Sequence, residues 1–128
     1  MRLLVDTHLL LWSVAASRKL PAVVRELLTE PANTVLYSAA SVWEIAIKSG
    51  LRRPDFRVDL PRLLRALSQA GFVELPVTVA HAARVGSLPD LHKDPFDRLL
   101  VAQALTEPAV LLTNDSQLDG YGTQVRVV

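Results

Sequence analysis

Two short apolar runs at opposite ends of the chain constrain its fold more than any other feature: Leu3-Leu4-Val5 and Val110-Leu111-Leu112. Neither alternates apolar with polar residues. Unbroken runs of this kind belong to strands covered on both faces, as in a parallel sheet held between helices. Each run then gives way to polar residues that include an acid: Asp6 directly after the first, and Thr113-Asn114-Asp115 after the second. Both carboxylates should therefore emerge at the C-terminal ends of strands, where open α/β sheets form their ligand sites.

The segments between these runs alternate in the same way. Residues 2–5 read as a first strand, and residues 8–16 as a short, very apolar helix. Pro21 suits the first turn of a second helix, in which Val23, Val24, Leu27 and Leu28 make an apolar stripe. Thr34-Val35-Leu36-Tyr37 reads as a second strand, and Ser38 to Ser49 as a helix stopped by Gly50. Residues 51–59 are polar and charged, hence a loop. Leu60, Leu63, Leu64 and Leu67 repeat at helical spacing as far as Gly71. Phe72 to Leu75 is a third strand, and Thr78 can cap a short helix that runs to Val85. After a loop from Gly86 to Lys93, Asp94 and Pro95 open a helix that reaches about Leu105. Val110 to Thr113 is the fourth strand, Asp115 to Tyr121 a turn or short helix, and Gln124 to Val128 the last strand. Alternating strands and helices imply parallel pairing and right-handed crossovers. The expected fold is a three-layer α/β/α sandwich with a five-stranded, mostly parallel sheet, built as one domain from residues 1–128.

Composition sets further limits. Half of the 128 residues are hydrophobic, enough for a real core, while a net charge of +1 gives no global signature of a nucleic-acid binder. The chain has no cysteine, which excludes disulfides, thiolate zinc sites and a cysteine nucleophile and fits a reducing cytoplasm. Asp6 and His8 interrupt the apolar N-terminus, so no secretory signal is expected. No stretch approaches the roughly 18 unbroken apolar residues of a membrane span.

Two more acids, Glu44 and Asp97, stand near the starts of helical patterns, at the same end of such a sheet as Asp6 and Asp115. Each acid has a purely structural reading when taken alone. Asp6 can cap the first helix. Ser41-Val42-Trp43-Glu44 matches a capping box, and Glu44 can pair with Lys48 one turn on. Asp97 suits a first turn, and Asn114-Asp115 suits a turn. The joint case differs, because a fold needs caps but has no need to gather them. Four like charges in one place repel by on the order of a kcal/mol per pair at an effective dielectric near 20. A hard divalent cation, Mg²⁺ or Mn²⁺, reverses that cost.

These residues also carry a family resemblance. Leu3-Leu4-Val5-Asp6-Thr7, Ser41-Val42-Trp43-Glu44, the block from Asp94-Pro95-Phe96-Asp97-Arg98 to Ala104, and Leu112-Thr113-Asn114-Asp115 together resemble a PIN domain. More narrowly, the chain resembles VapC-type ribonuclease toxins of toxin–antitoxin pairs. The resemblance implies a Mg²⁺- or Mn²⁺-dependent endoribonuclease in which Asp6, Glu44, Asp97 and Asp115 are the catalytic and metal-binding set, with Asp6 and Asp97 foremost. It implies supporting roles for Thr7, Thr113, Asn114 and Asp94, and products with a 5′-phosphate and a 3′-hydroxyl. It also implies an RNA substrate, a cognate antitoxin lying in a groove beside the site, and a homodimer.

Contacts to RNA and antitoxin are less sharply marked. Lys48, Arg52, Arg53, Arg57, Arg62 and Arg65 form a local basic excess suited to phosphates, although Arg62 and Arg65 also fit an ordinary solvated helix face. Lys93 and Arg98 flank the acidic block and are candidates for the scissile phosphate; Arg98 is equally suited to a neighbouring carboxylate. Leu9, Leu10, Trp12 and Trp43 read first as core and second as anchors for an antitoxin helix. His8, His81 and His92 lack metal-ligand or triad spacing and read as surface or core-edge residues. Two rival readings stand beside the nuclease. A phospho-acceptor receiver would want an acid after the third strand, where Leu75-Pro76 stands, and a lysine after the fifth. A non-catalytic PIN-like module binding RNA or protein would be marked by a missing acid, and none is missing.

Overall fold

The computed structural model describes residues 1–51 and 57–128. In chain order they form β1 (Arg2–Val5), α1 (Thr7–Val14), α2 (Ala22–Thr29), β2 (Thr34–Ser38), α3 (Ala39–Gly50), α4 (Leu60–Gln69), β3 (Val73–Leu75), α5 (Val79–Val85), α6 (Pro95–Thr106), β4 (Val110–Thr113), a 3₁₀ turn (Ser116–Tyr121) and β5 (Val125–Val127). The sheet runs in the order β3-β2-β1-β4-β5, and every neighbouring pair is parallel. The sheet is thus parallel throughout, where the sequence suggested only a mostly parallel one.

Successive residues of β1 face opposite layers. Leu3 and Val5 pack with Val35, Tyr37 and Leu112 against Leu9 and Leu10 of α1, Val24 of α2, Ile45 of α3 and Leu63 and Leu67 of α4. Leu4 packs with Leu36, Leu75, Leu111 and Val125 against Leu100, Val101 and Ala104 of α6 and Leu118 and Tyr121 of the 3₁₀ turn. This period-2 division of a continuous apolar strand is what makes three layers. Leu3, Leu4, Val5, Leu111 and Leu112 are fully buried, as unbroken runs require. Leu9 and Leu10 are fully buried too, so they belong to the core and have no surface to offer a partner.

The chain leaves β1 at the centre of the sheet, winds outward through β2 to β3, and then crosses back to β4 on the other side. The order reverses at the β1/β4 crevice, and such switch points are where open α/β sheets bind ligands. Asp6 and Asp115 stand at the C-terminal ends of these two strands.

Some local expectations shift. Ser38, where the helix was expected to begin, caps α3, its hydroxyl oxygen accepting from Ala40 N at 3.0 Å, and the capping-box pattern at Ser41 lies inside the helix. Gly50 is the last residue of that helix rather than its stop; Leu51 ends it in a right-handed conformation. The capping box of the fold lies at Thr78, with His81 in the reciprocal position usually held by Glu or Gln. His81 is buried there, and its other ring nitrogen meets Glu107.

Candidate metal centre

Three of the four acids enter the site through helix starts. Asp6 caps α1, its Oδ1 accepting from Leu9 N at 2.9 Å. Asp115 caps the 3₁₀ turn, its Oδ1 accepting from Gln117 N at 3.0 Å. Asp94 caps α6, accepting from Phe96 N and Asp97 N, which sets Asp97 in the first turn. The helix starts sit at the strand ends, so capping and clustering use the same residues. Glu44 arrives differently, in the second turn of α3 on its buried face.

Hydrogen bonds connect these carboxylates. Thr113 Oγ1 donates to Asp6 Oδ2 at 2.6 Å and accepts from Asp115 N at 3.0 Å. Thr7 Oγ1 donates to Glu44 Oε1 at 2.8 Å and faces Ser41 Oγ at 3.1 Å. Thr7, Ser41 and Thr113 are buried. Glu44 Oε2 pairs with Lys48 Nζ at 2.9 Å. The side chain of Asn114 is exposed, and its contribution is a backbone N–H toward Asp6. Thr113→Val should cost about 1–3 kcal/mol in urea unfolding, since it strips a donor from Asp6 and an acceptor from the Asp115 amide. A change below about 0.5 kcal/mol would contradict that arrangement.

The tightest group contains a residue that spacing did not single out. Ligand atoms of His92, Asp97 and Asp115 all lie within 4.8 Å of one another. His92 Nε2 is 2.9 Å from Asp115 Oδ2 and 3.6 Å from Asp97 Oδ2. Asp6 and Glu44 lie outside that group but act on Asp97 electrostatically. Burial pushes the Asp97 carboxyl up to about 7; the charges of Asp94, Glu44 and Asp6 add to the rise, and His92 opposes it. Burial likewise raises Asp6, against hydrogen bonds from Thr113, Leu9 N and Asn114 N and the charge of His8. For Asp115, partial burial acts upward, but the hydrogen bonds from Gln117 N and His92 outweigh it and hold the group low. Burial is the chief cause of both rises, and only at Asp97 does neighbouring negative charge add to it. Carboxylate oxygens predominate, with one imidazole in the tight group and no thiolate, a set that fits Mg²⁺ or Mn²⁺.

The flanking basic residues divide. Arg98 donates to Pro89 O at 3.1 Å, Tyr121 Oη at 3.2 Å and Val85 O at 3.2 Å, and approaches Asp90 at 4.0 Å. Its guanidinium braces the loop before α6 and is mostly buried, so it is not placed as a phosphate contact. Lys93 is exposed. Lys48 is held by Glu44, and Arg52 and Arg53 lie outside the described residues. Trp12 is partly buried against the core, whereas Trp43 is well exposed and meets Phe96 edge to face at 5.3 Å.

An all-parallel sheet with carboxylates gathered at its switch point defines a class of α/β domain, and comparison places the chain within it. The PIN domain model matches residues 3–123, and the chain belongs to the PIN domain family. Among solved structures it is similar to VapBC2 from Rickettsia felis, bound to a DNA fragment from their promoter (TM-score 0.71, 14% identity, covering 100% of this chain and 98% of that one). It is also similar to a toxin–antitoxin complex from Klebsiella pneumoniae (TM-score 0.68, 20% identity, 97% and 95% covered). VapBC-1 from nontypeable Haemophilus influenzae gives a TM-score of 0.65 at 17% identity, with 99% and 98% covered. None of the curated proteins matches the chain.

Proposed function

We propose that this protein is a VapC-type toxin, a Mg²⁺- or Mn²⁺-dependent endoribonuclease that a cognate antitoxin restrains. The observation that supports the reading is the close group of Asp97, Asp115 and His92, with Asp6 and Glu44 near enough to act on Asp97, whose carboxyl burial and neighbouring charge push up to about 7. Asp97, Asp115 and Asp6 would hold the cation, and Glu44 would complete its surroundings or orient water. When bound, the ion would supply Lewis acidity, lowering the pKa of a water and offsetting charge on the phosphate.

The chain's own residues do the rest. Thr113 holds one oxygen of Asp6 while its own oxygen anchors the turn that carries Asp115. Thr7 fixes one oxygen of Glu44, and Lys48 neutralises the other at the rim. Lys93 is exposed and would meet RNA phosphates in this reading. Hydrolysis in this reading leaves a 5′-phosphate and a 3′-hydroxyl.

The antitoxin surface is the exposed side of α3. Trp43, Ile47 and Leu51 repeat every fourth residue there and are exposed, with Phe96 beside Trp43. Apolar anchors at that spacing suit a helix laid across them. A homodimer and a cytoplasmic setting complete the reading; no helix among the described residues is long and apolar enough to cross a membrane.

Incubation of the pure protein with structured RNAs, with Mg²⁺ or with EDTA, tests the activity. Cleavage that requires the cation and disappears in Asp6→Asn is the expected result. Intact RNA under every condition, or wild-type rates in Asp6→Asn, would refute it. Arg98→Ala should lower stability by about 2 kcal/mol, from lost charge-assisted hydrogen bonds, and leave the salt dependence of RNA binding unchanged. A flattened salt slope in that variant would restore Arg98 as a phosphate contact.

A further inference from the structure

His92 stands inside the cluster with a fixed tautomer. Its Nδ1 accepts a hydrogen bond from Asp94 N at 3.0 Å. A ring nitrogen that accepts from an amide carries no proton, so the proton of the neutral ring is on Nε2. That N–H points at Asp115 Oδ2, 2.9 Å away, with Asp97 Oδ2 next nearest at 3.6 Å. A protonated Nε2 has no lone pair for a cation. The ring therefore meets the acids as a donor, although its position within the tight group would otherwise suggest a third ligand.

We infer that His92 is a positioning residue for the metal site, acting through Asp115 rather than on the ion. The inference rests on the metal-dependent reading above. Asp115 has both oxygens held, Oδ1 by Gln117 N and Oδ2 by the imidazole. Its side chain is 35% exposed, and these two bonds fix its orientation. The imidazole itself is only 11% exposed and is tied to the amide that opens α6. It thus spaces the end of β4 from the start of α6, setting the gap between Asp115 and Asp97. Outer donors of this kind orient metal ligands, and their removal typically weakens metal binding by about 10–100-fold.

Mn²⁺ titration followed by electron paramagnetic resonance, with calorimetry on the same samples, tests the role in wild type, His92→Ala and His92→Gln. Glutamine can place an amide N–H where Nε2 stands, but it offers a divalent ion a poor nitrogen. His92→Ala should bind Mn²⁺ about 10–100-fold more weakly. His92→Gln should recover most of that loss, and the wild-type spectrum should lack coupling to a directly bound imidazole nitrogen. Unchanged affinity in His92→Ala, an equal loss in both variants, or a bound imidazole nitrogen would each overturn the inference while leaving the metal site standing. Wild type that binds no Mn²⁺ would instead remove the metal reading and the inference together.

Discussion

Asp97→Asn should reduce RNA cleavage at least about 1,000-fold, the equivalent of the several kcal/mol that a catalytic cation contributes. The same variant should melt at a higher temperature than wild type in EDTA at pH 8. Both effects come from one carboxyl. Asp97 is driven from an ordinary 3.8 to about 7 by burial and by the charges of Asp94, Glu44 and Asp6. At pH 8 it is ionised in a place that disfavours ionisation. The amide keeps the shape and removes the charge, so the folded state gains while the cation loses a ligand. A variant that lost activity because it unfolded would move both readouts the same way. A lower melting temperature in EDTA, or retained cleavage, would contradict this role for Asp97.

Divalent cations should stabilise the wild-type protein, and more so as pH rises. The sign follows from linkage. Between pH 3.8, where the unfolded Asp97 titrates, and about 7, where the folded one does, the native state holds the extra proton. Stability from this group is therefore complete below that window and is lost as pH rises through it. Asp6, also raised by burial, acts in the same direction. Asp115 is lowered and acts the other way, but it is the more exposed group. A cation binds the deprotonated acids, so its effect grows as protons leave. At a hundred times its Kd it should add about 2.7 kcal/mol, roughly 10 °C in Tm for a chain of this size. Thermal melts at pH 5.5 and pH 8, with Mn²⁺ or EDTA, measure this directly. Equal shifts at the two pH values would contradict the account.

The fold was legible because its strands carry an unmistakable signal. Leu3-Leu4-Val5 and Val110-Leu111-Leu112 can satisfy their environment only between two helix layers, and the two core clusters divide their residues in that way. Asp6 and Asp115 were legible for the same reason, being the first acids past strand ends. Asp97 could be placed because Asp94-Pro95 defines where α6 begins. The start of α3 was legible at Ser38, where the apolar strand run ends, whereas the capping-box pattern at Ser41 falls inside the helix.

What stayed hidden depends on contacts between distant segments. His92 lies two residues before the cap of α6 and carries no spacing signature. Its nearness to Asp94 was the available hint, but its approach to Asp115 depends on how the loop after α5 folds over β4. Arg98 was ambiguous for a similar reason, since the carbonyls of Val85 and Pro89 that hold it are invisible as acceptors in a sequence. Leu9 and Trp43 are both apolar residues on short helices; burial separates them because α1 lies on the sheet while the outer side of α3 faces solvent.

A crystal soaked in Mn²⁺ and measured at the manganese absorption edge tests the central claim most directly. The account predicts an anomalous peak at the β1/β4 crevice, within bonding distance of Asp97 and at least one of Asp6 and Asp115. A fully occupied soak with no peak there, or with manganese bound only elsewhere on the surface, would contradict it.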